Sequence, residues 1–212
     1  METDILLQVL FLLLSLGMFL AMHNLPRKAL AKLRLKNRGN VQAKRHFVQG
    51  AQLLTRARSA RNKTTCVSLA KEAVDEADKA LLLDPKDAAV HILKALALDL
   101  QGHKSSALRS LDIALSPPAV KTLSHRERGD ALFKRAELQI GINRRRRVDS
   151  ALSDLIEAVK LSPENSKAFC LLGQCYEQQE MKEEAKQAYE KAIRIQPSSS
   201  AAREALDRLE SQ

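Results

Sequence analysis

The chain reads as all-α: a solenoid of stacked helix pairs, closed by a capping helix, behind one N-terminal transmembrane helix. Three observations predict this. Hydrophobic residues make up 45% of the chain while aromatics make up only 3% and Trp is absent, so the apolar content is Ala and Leu, which favour helix. The 7 Gly and 6 Pro are few, the Pro residues fall between helix-like segments, and alternating β-branched runs are missing. Finally, small residues recur at a fixed long period.

The first element spans residues 5–22, ILLQVLFLLLSLGMFLAM, eighteen residues without a charge. As a helix it is about 27 Å long, close to what the bilayer hydrocarbon requires. Glu2 and Asp4 precede it and no Ala-x-Ala site follows, which favours an uncleaved anchor over a secretory signal. A cleaved segment, leaving a lumenal or secreted protein, is the alternative. Arg27, Lys28, Lys32, Arg34, Lys36 and Arg38 crowd the C-terminal flank, in a basic juxtamembrane segment at 23–42. The positive-inside rule then predicts a single-pass protein with a cytosolic C-terminal domain, in the endoplasmic reticulum or an organelle outer membrane. Lys28, Lys32 and Lys36 share one helical face and suit anionic headgroups, or they serve only to set topology.

Net charge is +10, unevenly placed. No Asp or Glu occurs from Ile5 to Lys71, whereas 13 Lys and Arg fall between Arg27 and Lys71. The remainder, with 22 basic and 23 acidic residues, is nearly neutral. A uniformly basic nucleic-acid binder would not confine its charge in this way.

The repeats follow. Ala73, Ala77 and Ala80 recur as Ala107, Leu111 and Ala114, and Ala151, Leu155 and Ala158 recur as Ala185, Tyr189 and Ala192, each 34 residues on. Pro163 recurs as Pro197 at the same offset. Such a period marks helix–turn–helix units that stack. Alanine allows two helices to cross closely, and the closing Pro ends the second helix because it lacks an N–H.

Residues 166–199 carry Phe169, Leu172, Gly173, Tyr176, Ala185, Tyr189, Ala192 and Pro197 in register. This pattern resembles the tetratricopeptide repeat (TPR) family almost throughout. Looser units are expected at about 43–85, 88–118 and 129–163. The first should have helices at roughly 42–58 and 66–83, separated by surplus residues. The second carries His91 at the aromatic place. The third fits with a lengthened inner turn around 143–147. Ala201, Ala202, Ala205, Leu206 and Leu209 give residues 200–212 the apolar stripe of a capping helix.

The resemblance implies protein binding in the concave surface made by the first helices of the repeats, hence an adaptor or receptor for a partner peptide or helix. Groove-facing candidates are Ala89, Ile92, Leu96, Phe133, Lys134, Glu137, Cys170, Gln174 and Glu177, apolar at one end and polar at the other. Leu30, Leu33 and Leu35 offer an internal cover as an alternative to a partner helix. Some TPR proteins dock the acidic tails of chaperones through a clamp of Lys and Asn. The corresponding places here hold Val48, Gln52, Leu93, Asp130 and Lys134, or Phe47 and Ala51 if the first helix is shifted by one. Only Lys134 suits a carboxylate, so a chaperone-docking component of import or quality control is the second reading.

Arg144, Arg145, Arg146 and Arg147 form a run in the lengthened turn, a candidate loop site for phosphate, an acidic tail or lipid headgroups, or else simply solvated. Catalysis is not expected. There is no Gly-rich phosphate loop or nucleophile elbow, and the five His are scattered singly. No cofactor or metal is implied, and Cys66, Cys170 and Cys175 have no metal-ligand spacing. Their odd number fits free thiols in a reducing compartment. RNA binding would want stacking aromatics beside the charge.

Overall fold

The computed structural model describes Leu14 and residues 27–211, and it gives side-chain surroundings for these residues apart from 27–38, 144–146 and Glu210. The transmembrane helix expected at 5–22 lies outside the described residues. Among the described residues no helix is long and apolar enough to cross a membrane.

Nine α-helices and one 3₁₀ turn follow one another, with no strand among the described residues. They are α1 (Arg27–Ser59), α2 (Lys63–Leu83), α3 (Ala88–Leu100), α4 (Lys104–Leu115), the 3₁₀ turn (Ala119–Thr122), α5 (His125–Ile142), α6 (Arg144–Leu161), α7 (Ser166–Gln178), α8 (Lys182–Ile195) and α9 (Ser200–Glu210). The chain divides into two compact units, Met1–Gln42 and Ala43–Gln212. The second unit is the solenoid.

Local chemistry sets the starts of these helices. Asn62 Oδ1 accepts from the Thr64 N–H, Asp87 from those of Ala89 and Val90, and Asn165 from that of Ala168. Ser124 and Glu127 form a reciprocal capping box ahead of α5. Each cap satisfies N–H groups that have no partner within the helix. Helices α2, α6 and α8 end just before Pro85, Pro163 and Pro197, as the missing proline N–H requires.

Substantial packing runs between successive helices from α2 to α9, the quasi-one-dimensional arrangement of a repeat protein. The twelve residues of the 34-residue pattern are all buried in the core, the Ala, Leu and Tyr positions alike. A small residue marks the same place in the first helix of every pair: Gly50, Ala95, Ala136 and Gly173. A Cβ on Gly50 would lie 2.9 Å from Leu93 Cδ2 and 3.3 Å from the Ala73 carbonyl oxygen, so close helix approach begins in the first pair. Polar links tie pair to pair. Lys94 pairs with Asp78, and Arg135 grips the buried Asp154 at 2.6 and 2.7 Å while reaching Asp112 at 3.3 Å.

Four sequence expectations need correction. Helix α1 starts at Arg27 and α2 at Lys63, so the surplus residues of the first unit extend the helices and leave 60–62 as the connection. Helix α5 begins four residues ahead of the expected third unit, because Ser124 and Glu127 cap it there. The Arg run lies on no loop: 144–147 is the first turn of α6, with the Arg147 N–H donating to the Asn143 carbonyl at 3.2 Å. The three surplus residues are absorbed as helix, so Arg144, Arg145, Arg146 and Arg147 stand at a helix start rather than on the expected loop. In the capping helix Ala202 and Ala205 are buried, while Ala201 is exposed.

Candidate functional site: an apolar hollow on the first helices

The first helices of the four pairs, α1, α3, α5 and α7, line two hollows joined at Phe133 and Lys167. The larger, of about 530 Å³, is walled by Phe47, Ala51 and Leu54 of α1, by Ala89, Ile92, Leu93 and Leu96 of α3, and by Ala131 and Phe133 of α5. Leu123, Glu127, Asp130, Lys134, Asn165 and Lys167 complete its edge. The smaller, of about 350 Å³, takes Glu137, Cys170, Gln174 and Ala201. The positions three before and one after each small residue supply the pairs Phe47/Ala51, Ile92/Leu96, Phe133/Glu137 and Cys170/Gln174. The wall therefore changes from apolar to polar along the solenoid.

Of the nine groove candidates chosen from sequence, Ile92, Leu96, Phe133, Lys134, Glu137, Cys170 and Gln174 line one hollow or the other. Ala89 joins them, whereas Glu177 is engaged with the Tyr189 hydroxyl and with Arg208. In α1 the shifted register is the correct one. Phe47 and Ala51 face the hollow, and Val48 is 51% exposed elsewhere. Gly50 is the signal that could have settled this, since it occupies the small-residue place. Leu54, Leu123, Asn165 and Lys167 were missed because they lie at helix ends and connections, where the repeat pattern is silent.

Three of the charged side chains at the edge of the hollow already have partners within the fold. Lys134 sits between Asp99 at 2.7 Å and Glu137 at 2.6 Å. Burial works to lower its pKa, but these two carboxylates outweigh that and raise it. Glu127 is held below the ordinary carboxylate range by the Ser124 backbone and hydroxyl. Asp130 accepts from Asn165 Nδ2 at 3.4 Å. Lys134 is thus committed within the fold. The remaining clamp places hold Phe47, Ala51 and Leu93, which cannot donate to a carboxylate. The Cys170 thiol is raised by burial, with the Glu177 charge adding to it, and none of Cys66, Cys170 and Cys175 is in a disulfide with another described residue.

The tetratricopeptide-repeat family model matches at 166–199, the span of α7 and α8. Those residues form a tetratricopeptide repeat. The rest of the solenoid has the TPR-like fold, as comparison with solved structures shows. MamA superposes with a TM-score of 0.64 at 19% identity, covering 80% of this chain and 81% of MamA. PilF of Pseudomonas aeruginosa gives 0.62 at 21% identity, covering 81% of this chain and 68% of that one. YrrB, described as a TPR protein with an unusual peptide-binding site, gives 0.53 at 23% identity, covering 68% of this chain and 73% of its own. No curated protein matches the chain. The architecture fits a TPR-type protein–protein interaction scaffold.

Proposed function

We propose that the chain is a membrane-tethered adaptor or receptor that seats the apolar face of a partner helix or peptide in the hollow between α1, α3 and α5. One observation carries the reading. Phe47, Leu54, Ile92, Leu93, Leu96 and Phe133 converge on a concave wall, while Glu127, Asp130 and Lys134 at its edge already have partners within the fold. A surface of this kind rewards burial of apolar groups by about 25 cal/mol per Å² and suits helix-in-groove recognition. YrrB, with its peptide-binding site, makes peptide capture a natural use of the scaffold.

The tether rests on the uncharged run at 5–22 and the six cations that follow it, which favour a cytosolic solenoid at the endoplasmic reticulum or an organelle outer membrane. The role is one of binding rather than catalysis. Chaperone docking is the weaker reading, because apolar residues hold the clamp places and Lys134 is already paired. A lumenal or secreted solenoid remains the alternative if the segment at 5–22 is cleaved.

The test is site-specific photocrosslinking in the full-length protein. A crosslinker at Ala89 should capture a discrete partner, and Ile92→Asp with Leu96→Asp should abolish that adduct. Capture unchanged by the double substitution overturns the groove reading.

A further inference from the structure

Beyond the groove, the stretch 43–71, which holds the solenoid part of α1 and the first half of α2, carries charge of a single sign; the acidic residues of α2 begin at Glu72. From Ala43 to Lys71 the chain has Lys44, Arg45, Arg56, Arg58, Arg61, Lys63 and Lys71 and no Asp or Glu. All seven side chains are exposed, and none forms an ion pair with another described residue. Further along the solenoid acidic residues are interspersed with the cations, and Lys79, Lys94, Arg128, Lys134, Arg135 and Arg208 are each matched by a carboxylate. Solubility of a terminal repeat needs only a polar outer face, which mixed charges would supply. Unmatched positive charge instead raises a field that attracts a polyanion.

We infer that this end of the solenoid is a second membrane-facing surface, which rests on anionic lipid headgroups. Along α1, Arg45, Val48, Gln52 and Arg56 recur at helical spacing on one face, and all four are exposed. Val67 of α2, beside Lys63 and Lys71, is 36% exposed. Cations interleaved with modest apolar side chains are the chemistry of a helix at the headgroup boundary. RNA would require stacking aromatics here, and Phe47, the one aromatic of 43–71, is turned into the groove. An acidic protein would satisfy the charge equally well. Lipid is favoured because the same chain carries the apolar run at 5–22, so this inference rests on the tether reading.

The test places the full-length chain with discs of phosphatidylcholine alone or with about a quarter phosphatidylserine, the anionic lipid whose charge attracts such segments. Amine labelling of Lys44, Lys63 and Lys71 is the readout. Labelling several-fold slower in anionic discs, restored by salt that shortens the ~8 Å screening length, is the expected result. Arg56→Glu, Arg58→Glu and Arg61→Glu together should remove the protection, and Arg→Gln at these positions should weaken it, with helicity unchanged by circular dichroism. Chain inserted into both discs and labelled equally overturns the inference while leaving the tether standing. Binding only to anionic discs, lost in the Glu variant, supports the inference and removes the tether. A chain that stays out of both discs removes both readings. Protection by added polyglutamate but not by lipid overturns the inference in favour of an acidic protein.

Discussion

Gly173 of α7 lies directly against the ring of Tyr189 in α8: a Cβ at Gly173 would stand 2.6 Å from Tyr189 Cε1 and 2.8 Å from two neighbouring ring atoms. The fully buried Tyr189 cannot yield, because its hydroxyl donates to Glu177 and its ring is wedged among Ala185, Ala192, Ala202 and Ala205. Gly173→Ala therefore overpacks the crossing and should cost about 1–3 kcal/mol. Gly141→Ala is the control. Its nearest neighbour is the flexible end of Lys104 at 3.2 Å, and replacing glycine within a helix stabilises by about 0.5–1 kcal/mol. Urea unfolding of the two variants should move in opposite directions.

Ala192 extends the argument along the solenoid. It is fully buried, its carbonyl accepts from Ser166 Oγ at 3.0 Å, and it packs in one cluster with Ala202 and Ala205 of α9. Ala192→Leu forces those neighbours apart, at about 1–3 kcal/mol. In a one-dimensional array the loss is shared with adjacent helices first. Hydrogen exchange should accelerate most in α9 and α7, next in α6, and least in α2. Unchanged protection in α9 would mean that Ala192 does not brace the cap.

The repeat pattern was legible because small residues at helix crossings obey a fixed spacing whatever surrounds them. Ala73, Ala107, Ala151 and Ala185 could be placed from sequence alone. Residues 56–65 and 143–147 were not, because spacing cannot tell whether inserted residues loop out or lengthen the helices that flank them. In the first case capping chemistry decided it, since Asn62 starts α2 early; in the second, α6 takes in the Arg run against its own dipole, which disfavours cations at an N-terminus. The groove candidates fell in place because two positions in each first helix follow from the small residue between them. The ionic partners of Lys134 were not legible, since Asp99 meets it only across two stacked repeats.

Acid should weaken the first helix pair through Glu76. This α2 carboxylate meets Lys79 Nζ and His46 Nδ1 of α1, each at 2.6 Å. The hydrogen bond from Lys79, then that from His46, lowers its pKa below the ordinary 4.5. A carboxylate with a lowered folded pKa stabilises above its unfolded pKa, and the contribution fades as pH falls through the folded value. Glu76→Gln should thus be less stable than the natural chain at pH 7. The difference should shrink as pH falls through the lowered folded pKa and disappear once Glu76 is protonated in the folded state as well. Thermal unfolding across that range measures it, and a gap that persists in acid would assign the effect to packing.

Asn62 reports which side of the membrane the solenoid occupies. Asn62-Lys63-Thr64 is an N-glycosylation acceptor sequence. All three residues are exposed, at the connection between α1 and α2, within reach of a modifying enzyme only if that connection enters the lumen. Asn62 Oδ1 accepts from the Thr64 N–H at 3.0 Å and from the Thr64 hydroxyl at 2.9 Å, so the side chain caps α2 while its amide nitrogen stays free. On the proposed topology, in which the basic flank at 27–38 keeps the solenoid in the cytosol, the full-length chain should migrate identically with and without glycosidase in cells competent for glycosylation. Replacing Arg27, Lys28, Lys32, Arg34, Lys36 and Arg38 with Gln weakens that hold. A glycosidase-sensitive shift in the Gln variant alone would show that these cations set orientation. The same shift in the natural chain would place the solenoid in the lumen and overturn the proposed topology.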